Sequence, residues 1–147
     1  MSLLNVKNSV LKQLGYIVFG LMLMSSSCRD RNTQIPFVNT DFDINLNLPA
    51  YQDLNVPTGW IYVNGGSRGI IIYRHTQDEF VAFDRHSTYD VEASCQVDVL
   101  EDNITVEDPC SGSQWLIIDG SVMNGPAVFP LEPYNTQWNP PILRIYN

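Results

Sequence analysis

From residue 35 to the end of the chain, apolar and polar positions alternate in short runs broken by turn residues, and no window after residue 28 sustains a helical apolar stripe. In 41–48 (DFDINLNL), Asp41, Asp43, Asn45 and Asn47 alternate with Phe42, Ile44, Leu46 and Leu48. That period of two predicts a half-buried strand. Trp60–Val63 and Gly69–Arg74 flank Asn64-Gly65-Gly66 and read as a hairpin or tight loop. Further strands are predicted at Phe80–Phe83, Cys95–Leu100, Asn103–Val106, Trp115–Ile118, Ala127–Leu131 and Ile142–Tyr146, with Asp119-Gly120 as a turn between two of them. All nine prolines lie after residue 35, between these runs or at their ends, where a ladder tolerates them. The pattern predicts one all-β domain, a small sandwich or barrel with loops of some length.

The N-terminus has a different pattern. Residues 1–13 carry Lys7 and Lys12 and no acid, and Leu14 to Met24 is an uncharged apolar run of 11 residues. Ser25-Ser26-Ser27-Cys28 follows at once. A positive n-region, a short h-region and small residues at a cut are the layout of a secretory signal, and the run is too short to span a bilayer comfortably. The cysteine directly after the small residues resembles a lipobox, with Ser25 where many lipoboxes carry leucine. Residues 1–27 are thus expected to be a lipoprotein signal peptide, Cys28 the lipidated residue, 28–34 a polar tether and 35–147 the folded domain. The expected location is the bacterial cell envelope, anchored by the lipid and facing the periplasm or the cell surface.

Charge narrows the partners. All 16 acidic residues follow Cys28, where they meet six arginines and no lysine, a formal charge of −10. Such a domain repels phosphate backbones, so nucleic acid is excluded as a partner class. An apolar content of 44% over this length supports a packed core rather than disorder.

Two segments carry more than pattern. Phe83-Asp84-Arg85-His86-Ser87-Thr88-Tyr89 is one, and Asp108-Pro109-Cys110-Ser111-Gly112-Ser113-Gln114-Trp115 is the other. The second is followed in order by Asp119-Gly120, Gly125-Pro126-Ala127 and Pro130-Leu131. Over roughly residues 57–147 the chain resembles a Rieske domain, with its two cluster-binding loops and its proline loop. In that family the first loop reads Cys-x-His and the second Cys-Pro-x-His-Gly-Ser, two imidazoles holding one iron and two thiolates the other. The resemblance places Ser87 and Tyr89 in the first cysteine and histidine slots, and Asp108 and Ser111 in the second pair. All four ligands are therefore replaced, while Pro109, Gly112, Ser113 and Trp115 keep the second loop's frame. The fold implied is all-β, of Rieske-like stacked antiparallel sheets, with two ligand-type loops and a proline loop.

Serine hydroxyls are poor iron ligands near neutral pH, and the only two histidines, His75 and His86, fall outside the slots. No cofactor and no metal are expected; a [2Fe–2S] cluster on unusual ligands is the alternative. The resemblance also implies a Cys95–Cys110 disulfide, because Cys110 occupies the family's non-ligand cysteine and Cys95 lies a few residues beyond its usual partner. Such a bridge closes about 15 residues and adds roughly 3 kcal/mol on the loop-entropy model. Two unpaired buried thiols are the other reading.

Other constellations give less. Ser87, His86 and Asp84 or Asp90 suggest a triad, but neighbouring side chains point apart and no nucleophile elbow is present. Glu101-Asp102 and Glu107-Asp108 lack calcium-loop spacing. Trp60, Trp115 and Trp138 read as packing residues more readily than as a binding row. The function expected is a non-enzymatic interaction or structural module of the envelope, with a protein partner at the loop tip. The contact residues expected there are Ser87–Tyr89, Asp108–Gln114 (with Gly112, Ser113 and Gln114 foremost) and Gly125, Pro126 and Ala127. A Rieske-type electron carrier and a carbohydrate- or small-ligand-binding module are the two alternatives.

Overall fold

A computed structural model describes residues 34–147. The expected signal peptide at 1–27, the expected lipidation site Cys28 and the expected tether up to residue 33 lie outside the described residues. Ten strands form: β1 (Asp41–Asn45), β2 (Trp60–Val63), β3 (Ile70–Arg74), β4 (Phe80–Asp84), β5 (Asp98–Val99), β6 (Thr105–Glu107), β7 (Gln114–Leu116), β8 (Val122–Asn124), β9 (Pro133–Asn139) and β10 (Ile142–Tyr146). Two short 3-10 turns, Pro49–Asn55 and Val91–Ala93, are the helical elements among the described residues. Six strands pair in the order β1-β10-β9-β4-β3-β2 and four in the order β5-β6-β7-β8. Every pairing is antiparallel. The architecture is all-β with stacked antiparallel sheets, as expected.

The centre of the domain is β3, whose five residues are all buried. Its unbroken Ile70-Ile71-Ile72-Tyr73 run is the signature of a strand covered on both faces. Ile70 and Ile72 join Ile44, Leu54, Ile61, Phe80, Leu143 and Ile145 in one core. Ile71 and Tyr73 face the other way, toward Val97, Val106, Trp115, Ile117 and Leu131 in a second core shared with the four-stranded sheet. Each buried isoleucine is worth roughly 1.5–3 kcal/mol relative to exposure, so this one strand holds both layers together.

Two expected strands are corrected. Ala127–Leu131 is irregular, because the Phe129 carbonyl accepts bonds from the Thr88 hydroxyl and the Trp115 indole rather than from a ladder. Cys95–Leu100 shortens to β5, and its first half instead runs beside 85–87 through Ser87 N to Cys95 O and Val97 N to Arg85 O. Two strands, β8 and β9, were not expected; on β9, Tyr134, Thr136 and Trp138 lie half-buried on one face while their neighbours are exposed.

The link between β2 and β3 is built on a buried acid. Asp84 accepts from the backbone amides of Ser67 (2.6 Å), Arg68 (3.2 Å) and His86 (2.8 Å) and from the Tyr134 hydroxyl (2.8 Å). Gly66, at φ +57°, passes so close to Asp84 Oδ2 and Tyr134 Oη that a side chain there would overlap both.

Candidate functional site

Three segments converge at one end of the four-stranded sheet: the loop after β4 (Ser87–Tyr89), the loop between β6 and β7 (Asp108–Ser113), and the arm 125–131. The second loop is shaped by its own sequence. Asp108 accepts from Cys110 N through Oδ1 at 2.8 Å, an Asx turn with Pro109 inside it. Gly112 N donates to Asp108 O at 2.8 Å, with Gly112 at φ +73° closing the turn. The arm is pinned to both loops. Ala127 N donates to Ser113 Oγ at 3.0 Å, while Thr88 Oγ1 and Trp115 Nε1 each donate to Phe129 O at 2.9 Å.

The sequence-predicted slots meet through their side chains, with one exception. Ser87 Oγ donates to Asp108 Oδ2 at 2.7 Å across 21 residues of chain, and Ser111 Oγ donates to the same oxygen at 2.7 Å. Ser87 and Asp108 are 0% and 1% exposed. Ser111 and Ser113 hydroxyls stand 2.9 Å apart, which carries the network on to Ala127 N. Tyr89 is the exception: it joins by its backbone, with Tyr89 N donating to Ser87 Oγ at 3.2 Å, and packs its half-buried ring on the second core. Beside the network runs the disulfide Cys95–Cys110, Cα to Cα 6.4 Å.

These residues do not fit a [2Fe–2S] cluster. The cluster takes two thiolates and two neutral imidazoles. Here the slots hold two hydroxyls, a phenol and a carboxylate, and both neighbouring sulfurs are spent on each other. A metal site without its metal leaves buried donors unanswered. Among the described residues, no buried side-chain nitrogen or oxygen lacks a partner.

The histidines serve elsewhere. His86 is buried, with Nε2 2.9 Å from Val91 O and Nδ1 2.8 Å from Ser67 Oγ. A carbonyl only accepts, so Nε2 carries the proton and Nδ1 accepts from the serine. The ring therefore ties two loops together and is not paired with Ser87. His75 lies 3.8 Å from Glu79 in the β3–β4 turn. Asp102 caps its own turn through Ile104 N, Thr105 N and Thr105 Oγ1, and those bonds hold its carboxyl below the ordinary value. Trp115 is core, Trp60 donates to Asn103, and Trp138 packs on Phe80, so none of the three lines the loop tip.

Of the contact residues expected from sequence, Pro109, Cys110, Gly112, Gly125 and Pro126 are exposed, whereas Ser87, Thr88 and Asp108 are buried inside the network and are corrected. Ser113 and Ala127 are corrected, being buried by their mutual bond, and Gln114 is a half-buried strand residue bonded to Glu107 at 2.6 Å. Sequence reasoning missed Val128 and Phe129, 77% and 46% exposed, because an apolar pair between prolines reads as strand core. Met123 on β8 is exposed as well.

No family model and no curated protein matches the chain. Solved structures do. The cyanobacterial plasma membrane Rieske protein PetC3 from Synechocystis PCC 6803 matches with a TM-score of 0.54 and 19% identity, covering 76% of this chain and 100% of that one. A chain from the complex of reduced oxygenase and oxidized ferredoxin in carbazole 1,9a-dioxygenase matches with a TM-score of 0.50 and 18% identity, over 72% of this chain and 92% of that one. Likeness at these identities bears on the fold alone: the chain has a Rieske-like fold.

Proposed function

We propose that this protein is a lipid-anchored envelope lipoprotein whose Rieske-like domain works without a cluster, as a non-enzymatic interaction module. One observation carries the reading. The Asp108 carboxylate gathers the Ser87 and Ser111 hydroxyls and the Cys110 amide into a closed network where the cluster's ligands would stand. That network holds the two loops in place with protein groups alone.

The end of the domain so braced presents a docking surface. Val128 and Phe129 stand out from an arm whose backbone is fixed at Ala127 N and Phe129 O, so apolar side chains are displayed on a rigid support. Exposed apolar side chains on a preorganised loop bind with little ordering cost, which suits a protein partner. The anchor on Cys28 keeps this surface at the membrane, and the acidic character of the domain turns it away from nucleic acid.

A photoreactive amino acid at position 128 of the chain expressed in cells tests this. A discrete adduct with one envelope protein is expected in the membrane fraction, lost when a cleavable signal without the lipobox cysteine replaces residues 1–28 and releases the chain from the membrane. The same adduct pattern from exposed Gln137, on the far sheet, would contradict a tip-specific contact.

A further inference from the structure

We infer that reduction of the Cys95–Cys110 bridge creates a zinc site made of Cys95 Sγ, Cys110 Sγ and a carboxylate oxygen of Asp108. The Rieske pattern gives position 108 to a ligand but assigns neither Cys95 nor Cys110 to a metal, and the inference does not rest on the membrane anchor. The three ligand atoms already lie within 4.8 Å of one another, one on the loop after β4 and two on the loop after β6. A tetrahedral zinc ion with sulfur at about 2.3 Å and oxygen at about 2.0–2.2 Å sets its ligands roughly 3.5–3.8 Å apart, inside that envelope. Rotation of two cysteine side chains is the movement needed. The carboxylate stays where it is.

The carboxylate is prepared for the task. Oδ2 is engaged by both serine hydroxyls at 2.7 Å, and among the described residues Oδ1 takes only the Cys110 amide at 2.8 Å, on the cysteine side. An oxygen with one bond keeps a lone pair for a cation, while hydrogen bonds to its partner oxygen hold the group still, as outer-shell donors do in zinc proteins. Asp108 is 1% exposed, so the ion enters against a fixed, largely dehydrated charge. Two thiolates and one carboxylate suit zinc, and exposed Cys110 leaves the fourth position to water. That exposure also lets a reductant reach the bridge.

The step balances. A dithiol attacks one sulfur, the Cys95–Cys110 bond breaks, and the dithiol leaves as its own disulfide after giving two electrons and two protons. Zinc(II) then displaces both thiol protons to solvent with no change in oxidation state. In the oxidised chain the sulfurs have no thiolate to offer, so the site exists only after exchange.

The experiment uses the full chain in detergent with Cys28→Ser, so that two thiols remain, and zinc itself as the probe. A trialkyl phosphine, which leaves as its oxide and does not chelate zinc, provides the reduced form. One zinc per reduced chain and none per oxidised chain is expected after desalting, with affinity about tenfold or more weaker in Asp108→Asn. Cobalt(II) in place of zinc is expected to give thiolate-to-metal charge-transfer absorption that Cys110→Ser abolishes. Zinc uptake unchanged by reduction, or undiminished in Asp108→Asn, would overturn the proposal. So would a reduced chain that loses its β circular dichroism and does not regain it with zinc.

Discussion

Asp108 is a single carboxylate with three donors on it, and the consequence of removing it follows from what those donors are. Ser87 is fully buried and its hydroxyl keeps only the longer contact to Tyr89 O at 3.2 Å; the Cys110 amide loses its turn. Hydrogen bonds to a charged group contribute about 1.5–3 kcal/mol each, and orphaned buried donors add their own penalty. Asp108→Ala is expected to cost about 2–4 kcal/mol, read as a lowered urea midpoint with an unchanged slope. Tyr134 gives a test in pH. Burial first, and its bond to Asp84 second, raise its phenol above the ordinary 10.0. A group whose folded value is raised contributes stability in full below the unfolded value and loses it as pH climbs beyond. Stability is therefore expected to fall above about pH 10 as the unfolded chain ionises first, and Tyr134→Phe is expected to flatten part of that fall in denaturant titrations.

Elements show how far the sequence speaks. The period-two pattern of β1 and the apolar run of β3 are legible because each residue's face follows from the pleat alone. The strand β9 was not legible, since Pro133, Asn135, Gln137 and Asn139 dominate its composition and its apolar side shows only once β4 and β10 flank it. The apolar run 127–131 misled for the opposite reason: side chains and the Gly120 carbonyl, not a neighbouring strand, satisfy its backbone. Between β7 and β8 the Asp119-Gly120 turn does more than reverse the chain. Gly120 sits at φ +72°, and a Cβ there would stand 2.7 Å from the Phe83 ring on β4. Gly120→Ala combines positive-φ strain with overpacking between the sheets and is expected to lower stability by about 2 kcal/mol or more, measured by thermal or urea unfolding.

For the whole molecule, the order of motifs along the chain was enough to indicate the fold, because Asp119-Gly120, Gly125-Pro126-Ala127 and Pro130-Leu131 are local signals set by backbone geometry. The four slots were given by the resemblance. Their chemistry was not: that Ser87 and Asp108 bond to each other is a long-range fact that emerges only when the loops meet. Likewise the buried place of Asp84 and His86, which lock the loop at 64–69 to β4, cannot be told from an acid and a histidine in a polar stretch. On the proposed reading, protein groups alone fill the place a cluster would take. Iron and acid-labile sulfide analysis with a visible absorption scan, on the chain purified in detergent without added metal, tests it most directly. Neither iron nor sulfide, and no visible bands, is the predicted result; stoichiometric iron and sulfide with cluster absorption would contradict it and make the protein an electron carrier.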